Sequence, residues 1–328
     1  SVERKRNPEL FKAPILIVKA GLTSDFKVVG SISYSDIIFT KSVYGLKQYG
    51  SSKILEMVLG ILSSHLFNYY ILLIGSSTGI ERETINDEEI NSFSFKYSEK
   101  IIISVLNLIK LNRLIEIHKR KPLKENLKIV QYEKQFEEKE AELNQFIFDL
   151  YNLSDTEKDL IAYAQEITIP VLQAKNKKYR EVCEDARLYK PYKALEKSEL
   201  ENYINIYQEH FLKFHSGGTN GYFNVRVFQS KNIIAIEFYI DKKKQKDEWI
   251  NEPDTAKTME KLATLGFQKV SNDLFIQKDT KTLNRDSFSV VKLNQYKYWH
   301  KAIARLDVIE FTEAMIKSQI EPQDGKNQ

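Results

Sequence analysis

The chain has 328 residues, 42% of them hydrophobic, 29% charged and 12% aromatic, and a formal net charge of +4. That length supports two or three compact domains, and that composition excludes a disordered chain. The single cysteine, Cys183, excludes a disulfide framework and a thiolate zinc cluster and fits a reducing, cytoplasmic setting.

The chain opens at Ser1 on the polar run VERKRNP, which lacks the apolar core of a signal peptide, and it reads as an excised fragment. From Ser1 to Gly75 nine lysines and arginines stand against five acids, so this stretch is net basic. Short runs at Pro14–Lys19, Lys27–Ser33 and Ile37–Thr40, separated by Gly21, Ser24, Asp25, Ser35 and Asp36, predict a small, mostly β module.

Between Ser52 and Tyr70, Ile54, Leu55, Val58, Leu59, Ile61, Leu62, Leu66 and Tyr69 recur at helical spacing and predict a buried helix. Glu56, Ser63, Ser64, His65 and Asn68 interrupt the apolar stretch, so no membrane span is expected. A polar loop follows at Gly75–Gly79, and Asn86 with Glu89 has the form of a capping box.

Lys100–Phe214 is almost continuously helix-forming, with 19 basic and 19 acidic residues from Lys110 to Lys213, which describes solvated helix faces. Pro122, the Asn152–Asp155 stretch, Pro170 and Pro191 divide it into several helices, and Leu143, Phe146, Ile147 and Leu150 form an apolar stripe that predicts bundle packing. The run SGGTNG at Ser216–Gly221 marks a boundary. Beyond it come a hairpin, Tyr222–Gln229 with Ile233–Ile240, a helix at Thr255–Leu265, strands at Leu274–Gln277 and Phe288–Val291, and a closing helix at Trp299–Met315. The fold class is therefore α+β: a β-containing N-terminal recognition module over 1–98, a helical scaffold over 99–214 and an antiparallel α+β module over 215–328 with a polar tail.

Catalytic motifs are missing from the sequence. There is neither a G-x-x-x-x-G-K-[ST] loop nor a G-x-G-x-x-G turn to cradle phosphates. His210 and His215 are poorly spaced for two ligands on one helical face, and Asp254, Glu260 and Lys261 fit an ion-paired helix face better than a metal-dependent nuclease. Ser76, Ser77 and Thr78 lack the G-x-S-x-G elbow.

The segments FKAPILIVKAG (11–21), SYSDIIFTKSVYGL (33–46) and the stretch through Ile61–Tyr70 and Ser76–Phe95, taken in that order, resemble the target-recognition region of N-6 adenine DNA methyltransferases of type II and fused restriction-modification enzymes. LYNLSDTEKDLIAYA (150–164) is similar to a helix downstream in the same family. The resemblance covers about half the chain. Ser63 and Ser64 stand where the family tends to have Asn-Ser, and Thr78 where tryptophan is frequent.

The family's [DNS]PP[YFW] tetrapeptide and glycine-containing cofactor motif are not in the chain. The resemblance thus implies a fragment with no catalytic site and no cofactor of its own. S-adenosylmethionine and the chemistry belong to an N-terminal methyltransferase domain outside this sequence, where a flipped adenine would be held. It implies double-stranded DNA and that domain as partners. Arg4, Lys5, Arg6, Lys19, Lys41, Lys47 and Lys53 are the candidates for phosphate contacts, and Tyr44, Gln48, Ser76, Ser77 and Arg82 for base edges. Arg82 has a rival role in pairing with Glu81, Glu83 or Glu89, and Tyr44 in the core. The alternative reading is a helical protein-interaction or assembly module, which suits the balanced charge of the middle region.

Overall fold

The computed structural model describes residues 7–40, 42–48, 53–75, 84–120, 127–215, 221–251, 279–283 and 287–320. They form an α+β fold in two compact units, Ser1–Asn176 and Lys177–Gln328, each with its own sheet. The helices of 99–214 are therefore distributed between the units. Ile101, Val105, Leu143 and Ile147 close the first core, whereas Tyr203, Tyr207 and Phe211 belong to the second.

In the first unit an antiparallel sheet is ordered β2–β1–β3, with β1 (Ile15–Lys19) between β2 (Gly30–Ser33) and β3 (Val43–Leu46). The apolar run Ile15–Val18 suits the central place, since Ile15, Leu16 and Val18 are all buried. Ile37–Thr40, expected as the third strand, is a loop. The Ile37 N–H donates to the Phe11 carbonyl (2.9 Å) and the Phe39 ring packs 5.1 Å from that of Phe11, so tertiary contacts take the segment off the ladder. Val43–Leu46 pairs instead, with Tyr44 opposite Val18 and Gly45 opposite Ile17.

The single helix expected over Ser52–Tyr70 is two, α1 (Lys53–Leu62) and α2 (His65–Ile74), bent by 61°. Ser64 is the cause: its hydroxyl donates to the Ile61 carbonyl (2.7 Å) and accepts from the Phe67 N–H (3.2 Å), ending one helix and capping the next. Among the described residues no single helix is long and apolar enough to cross a membrane.

The short α3 (Asp87–Asn91) opens on the expected capping box, with Asn86 and Glu89 exchanging hydrogen bonds of 2.8 and 2.9 Å. The long helices α4 (Glu99–Lys119) and α5 (Leu127–Leu150) run antiparallel: His118 meets Tyr132 at one end, and the Tyr151 hydroxyl donates to the Ser94 carbonyl (2.6 Å) at the other. Leu143 and Ile147 of the expected stripe are buried, and Phe146 and Leu150 half-buried. Gly60 lets α1 lie directly on α4, because a Cβ there would stand 2.5 Å from Val105 Cγ2. Then follow α6 (Asp155–Tyr163), a π turn at Ala164–Thr168 and α7 (Ile169–Ala174) in one continuous helical run, with Pro170 directly after the π turn, where the irregular ladder accommodates its missing N–H.

The second unit runs through α8 (Tyr179–Glu184), α9 (Ala186–Tyr189), α10 (Lys197–His215), β4 (Tyr222–Gln229), β5 (Ile233–Asp241), β6 (Glu248–Asn251), β7 (Asp279–Leu283), β8 (Ser287–Leu293) and α11 (Lys301–Ile320). The sheet order is β6–β4–β5–β8–β7. The hairpin β4–β5 is as expected, but the sheet is not wholly antiparallel, because β6 joins β4 in parallel. Aromatic side chains of α10 and α11 pack on the sheet face bearing Phe223, Phe238 and Phe288, and Tyr207 stacks on Phe238 at 4.4 Å. The helix expected at Thr255–Leu265, the strand at Leu274–Gln277 and most of the Ser216–Gly221 boundary lie outside the described residues.

Candidate nucleic-acid interface

The end of β1 is where loop segments meet. The Ala20 N–H donates to the Ser42 carbonyl (2.8 Å), at the start of β3 and one residue after position 41. Gly21 forms a bridge with Thr84, and the Ile85 N–H donates to the Ala20 carbonyl (2.8 Å), so Thr84 and Ile85 lie at the same place. Lys19 stands there, exposed. Three separate stretches of the recognition-like sequence thus converge on one end of the sheet. Arg4, Lys5, Arg6, Lys41, Ser76, Ser77 and Arg82 themselves lie outside the described residues.

The other candidates occupy different ground. Lys47 and Gln48 follow β3 at the opposite end of the sheet, about 13 Å from Lys19 at roughly 3.3 Å per residue. The Lys47 ammonium donates to the Glu9 carbonyl (2.7 Å), tying the 3-10 turn Pro8–Phe11 to β3. Its two remaining donor positions are not consumed by that tether. Gln48 encloses its Oε1 without a hydrogen-bond partner. Lys53 is exposed at the first residue of α1, where the helix dipole disfavours a cation.

Charge pairing separates these cations further. Lys12 pairs with Glu9 at 2.7 Å and Lys27 with Glu140 at 3.5 Å, while among the described residues Lys19 and Lys53 form no ion pair. Tyr44 is half-buried against the core and lines a cleft of about 330 Å3 with Leu10, Phe39, Asp87, Ile90 and Asn91. Sequence reasoning missed Asp87 and Asn91. They are four apart on α3 and so share a face, but nothing local ties that face to β3.

A second polar cluster lies in the other unit. The Asp307 carboxylate accepts hydrogen bonds from the Lys292 ammonium, from the Tyr203 hydroxyl and from Lys281 (2.7 Å), and Tyr203 bonds Tyr207 at 3.0 Å. Burial pushes Lys292 below the ordinary lysine value against the pull of Asp307. Burial would lower Lys281 as well, but hydrogen bonds to Asp307 and Glu310 outweigh it and hold that ammonium above the ordinary value. Burial raises the Tyr203 and Tyr207 phenols well above theirs.

A depressed lysine beside tyrosines is a pattern shared with catalytic sites. Here the Lys292 and Asp307 side chains are only 2% and 4% exposed, so no solute reaches them and the cluster serves the core. The sequence carried a usable signal for it. Lys292 has the same strand parity as Phe288 and Val290, and Asp307 falls three residues after Ala304 and four before Phe311, both on the buried face. Among the described residues there is no group of three or more His, Cys, Asp or Glu side chains placed to hold a metal ion. The chain matches no family model, no curated protein and no solved structure.

Proposed function

We propose that this chain reads DNA sequence, as the C-terminal specificity part of an adenine-specific DNA methyltransferase or restriction-modification protein of the cytoplasm. S-adenosylmethionine and methyl transfer belong, in this reading, to a catalytic domain outside the sequence. The observation that carries the proposal is the convergence at the end of β1. Lys19, Ser42 and the Thr84–Ile85 stretch meet there, which is the arrangement a β scaffold needs to present several segments to one groove. The roughly 13 Å between Lys19 and Lys47 is comparable to the ~12 Å width of the major groove.

In this reading Lys19 and Lys53 neutralise phosphates while the loops carry the base contacts. Each lost phosphate contact lowers the slope of log affinity against log salt by about one. Replacing both lysines by alanine in the full chain should flatten that slope by about two, equally on cognate and random duplexes. An unchanged slope removes these residues from the interface, and salt-independent or absent duplex binding by the unaltered chain overturns the reading.

The second reading, assembly through helices, is favoured by Ile103, Leu106, Leu114 and Ile117, which leave an apolar stripe exposed along α4. The same titration separates the two, because assembly through that stripe gives no salt-dependent affinity for DNA.

A further inference from the structure

The cleft beside β3 has an aromatic wall and a polar rim. Its aromatic wall is the Phe39 ring, held against Phe11 and lying so close over Gly45 that a Cβ there would come within 2.6 Å of Phe39 Cζ. Tyr44 is the neighbouring aromatic, and Leu10 and Ile90 complete an apolar surface. The rim is polar: Asp87 and Asn91 both line the cleft and are exposed, and neither their side chains nor the Tyr44 hydroxyl hydrogen-bond to the protein among the described residues. The capping box of Asn86 and Glu89, with the Tyr70 hydroxyl donating to the Glu89 carbonyl (3.3 Å), holds α3 and therefore these two side chains in place.

Apolar walls and an aromatic ring favour a planar, apolar-faced group. A free carboxylate selects a ligand that donates hydrogen bonds, and an amide beside it adds one donor and one acceptor. Asparagine pairs with the N6 and N7 edge of adenine, and an acidic side chain accepts from the exocyclic amine of cytosine. About 330 Å3 is room enough for one base.

We infer that the cleft formed by Phe39, Tyr44, Asp87 and Asn91 binds a single amino-bearing nucleobase, adenine, cytosine or guanine, out of the helical stack. The inference rests on the DNA-reading proposal for its biological source, since the base would come from the bound duplex. The cleft's chemistry is the same toward a free nucleoside.

The test uses the full chain with four nucleosides, adenosine, cytidine, thymidine and guanosine, and with duplexes carrying one unpaired adenine or none. Binding is read by calorimetry and, for the duplexes, by the fluorescence anisotropy of an end label. Adenosine, cytidine or guanosine should bind in preference to thymidine, which has no exocyclic amine, and the unpaired-base duplex more tightly than the fully paired one. Asp87→Asn leaves the capping box intact and should weaken the preferred nucleoside about tenfold or more, the loss expected for a charge-assisted contact. Its thermal unfolding should match that of the unaltered chain.

Binding of the nucleoside alone, with no gain for the unpaired-base duplex, supports the cleft and assigns it to a free ligand. Absence of nucleoside binding at millimolar concentration, or an Asp87→Asn variant that binds equally well, overturns the inference. Salt-dependent duplex affinity measured in the same samples keeps the two proposals apart. If it persists while nucleosides fail to bind, only the cleft is wrong. If it is absent while adenosine binds and Asp87→Asn weakens it, only the DNA reading is wrong.

Discussion

Each unit buries a carboxylate, and the two satisfy it in opposite ways. In the first, Glu56 is 5% exposed and receives a single hydrogen bond, from the neutral Tyr34 hydroxyl at 2.7 Å, while its other oxygen is enclosed without a partner. In the second, Asp307 is 3% exposed and is met by two ammonium groups and a phenol. The lesson is about dependence. A carboxylate with one neutral donor loses a single hydrogen bond when that donor is removed, whereas one locked between lysines leaves buried charge behind if it is itself removed.

The largest effect expected from this contrast is at Asp307. Asp307→Ala strands the Lys292 ammonium in an aromatic core and should cost about 3–5 kcal/mol. A Lys292→Met, Asp307→Leu pair should recover most of that loss, since apolar replacement of a buried pair is often neutral or better. The only tryptophans, Trp249 and Trp299, both lie in the second unit, so denaturant unfolding followed by their fluorescence isolates it. A cost below about 1 kcal/mol for the single variant would mean that the charges contribute little and the contrast fails.

A smaller effect is expected in the first unit. Tyr34→Phe removes the one donor to Glu56 and should destabilise by about 1–3 kcal/mol at neutral pH, the cost of an unsatisfied buried acceptor. Helix loss by circular dichroism in denaturant measures it, and a cost below about 0.5 kcal/mol would show that the Tyr34 hydroxyl contributes little to stability.

The smallest effect is absent at neutral pH and appears only in alkali. Tyr203 and Tyr207 are held protonated in the folded state by burial, with folded values well above the 10.0 of a free phenol. Above pH 10 the unfolded chain releases protons that the folded chain keeps, so stability is constant below that pH and falls as pH rises. Lys281, also raised, acts in the same direction, and Lys292, which is lowered, opposes it. In the first unit Tyr34 is pushed up to about 12 by burial and by its hydrogen bond to Glu56, but it is half exposed and weighs less. Tryptophan fluorescence should therefore report unfolding at a lower pH than the overall helix signal does. Simultaneous loss of the two signals would erase the difference between the units.

The sequence alone determined the features that depend on near neighbours. The α+β class, the β4–β5 hairpin, the Asn86–Glu89 capping box and the Leu143–Ile147 stripe all come from residues a few positions apart, where periodicity and capping chemistry act directly. The candidate site was legible only in part, since Tyr44 was singled out while Asp87 and Asn91 were not. What brings them together is the packing of α3 against β3, some forty residues apart in the chain. Tertiary contacts likewise decided that Val43–Leu46 and not Ile37–Thr40 completes the first sheet, because Phe39 is drawn onto Phe11 and Gly45. They decided that β6 pairs in parallel, and that Lys292 meets Asp307 from a strand and a helix fifteen residues apart. Residue order sets which groups want burial or a partner; which partner each one meets is a property of the folded chain, where distant segments compete for the same face.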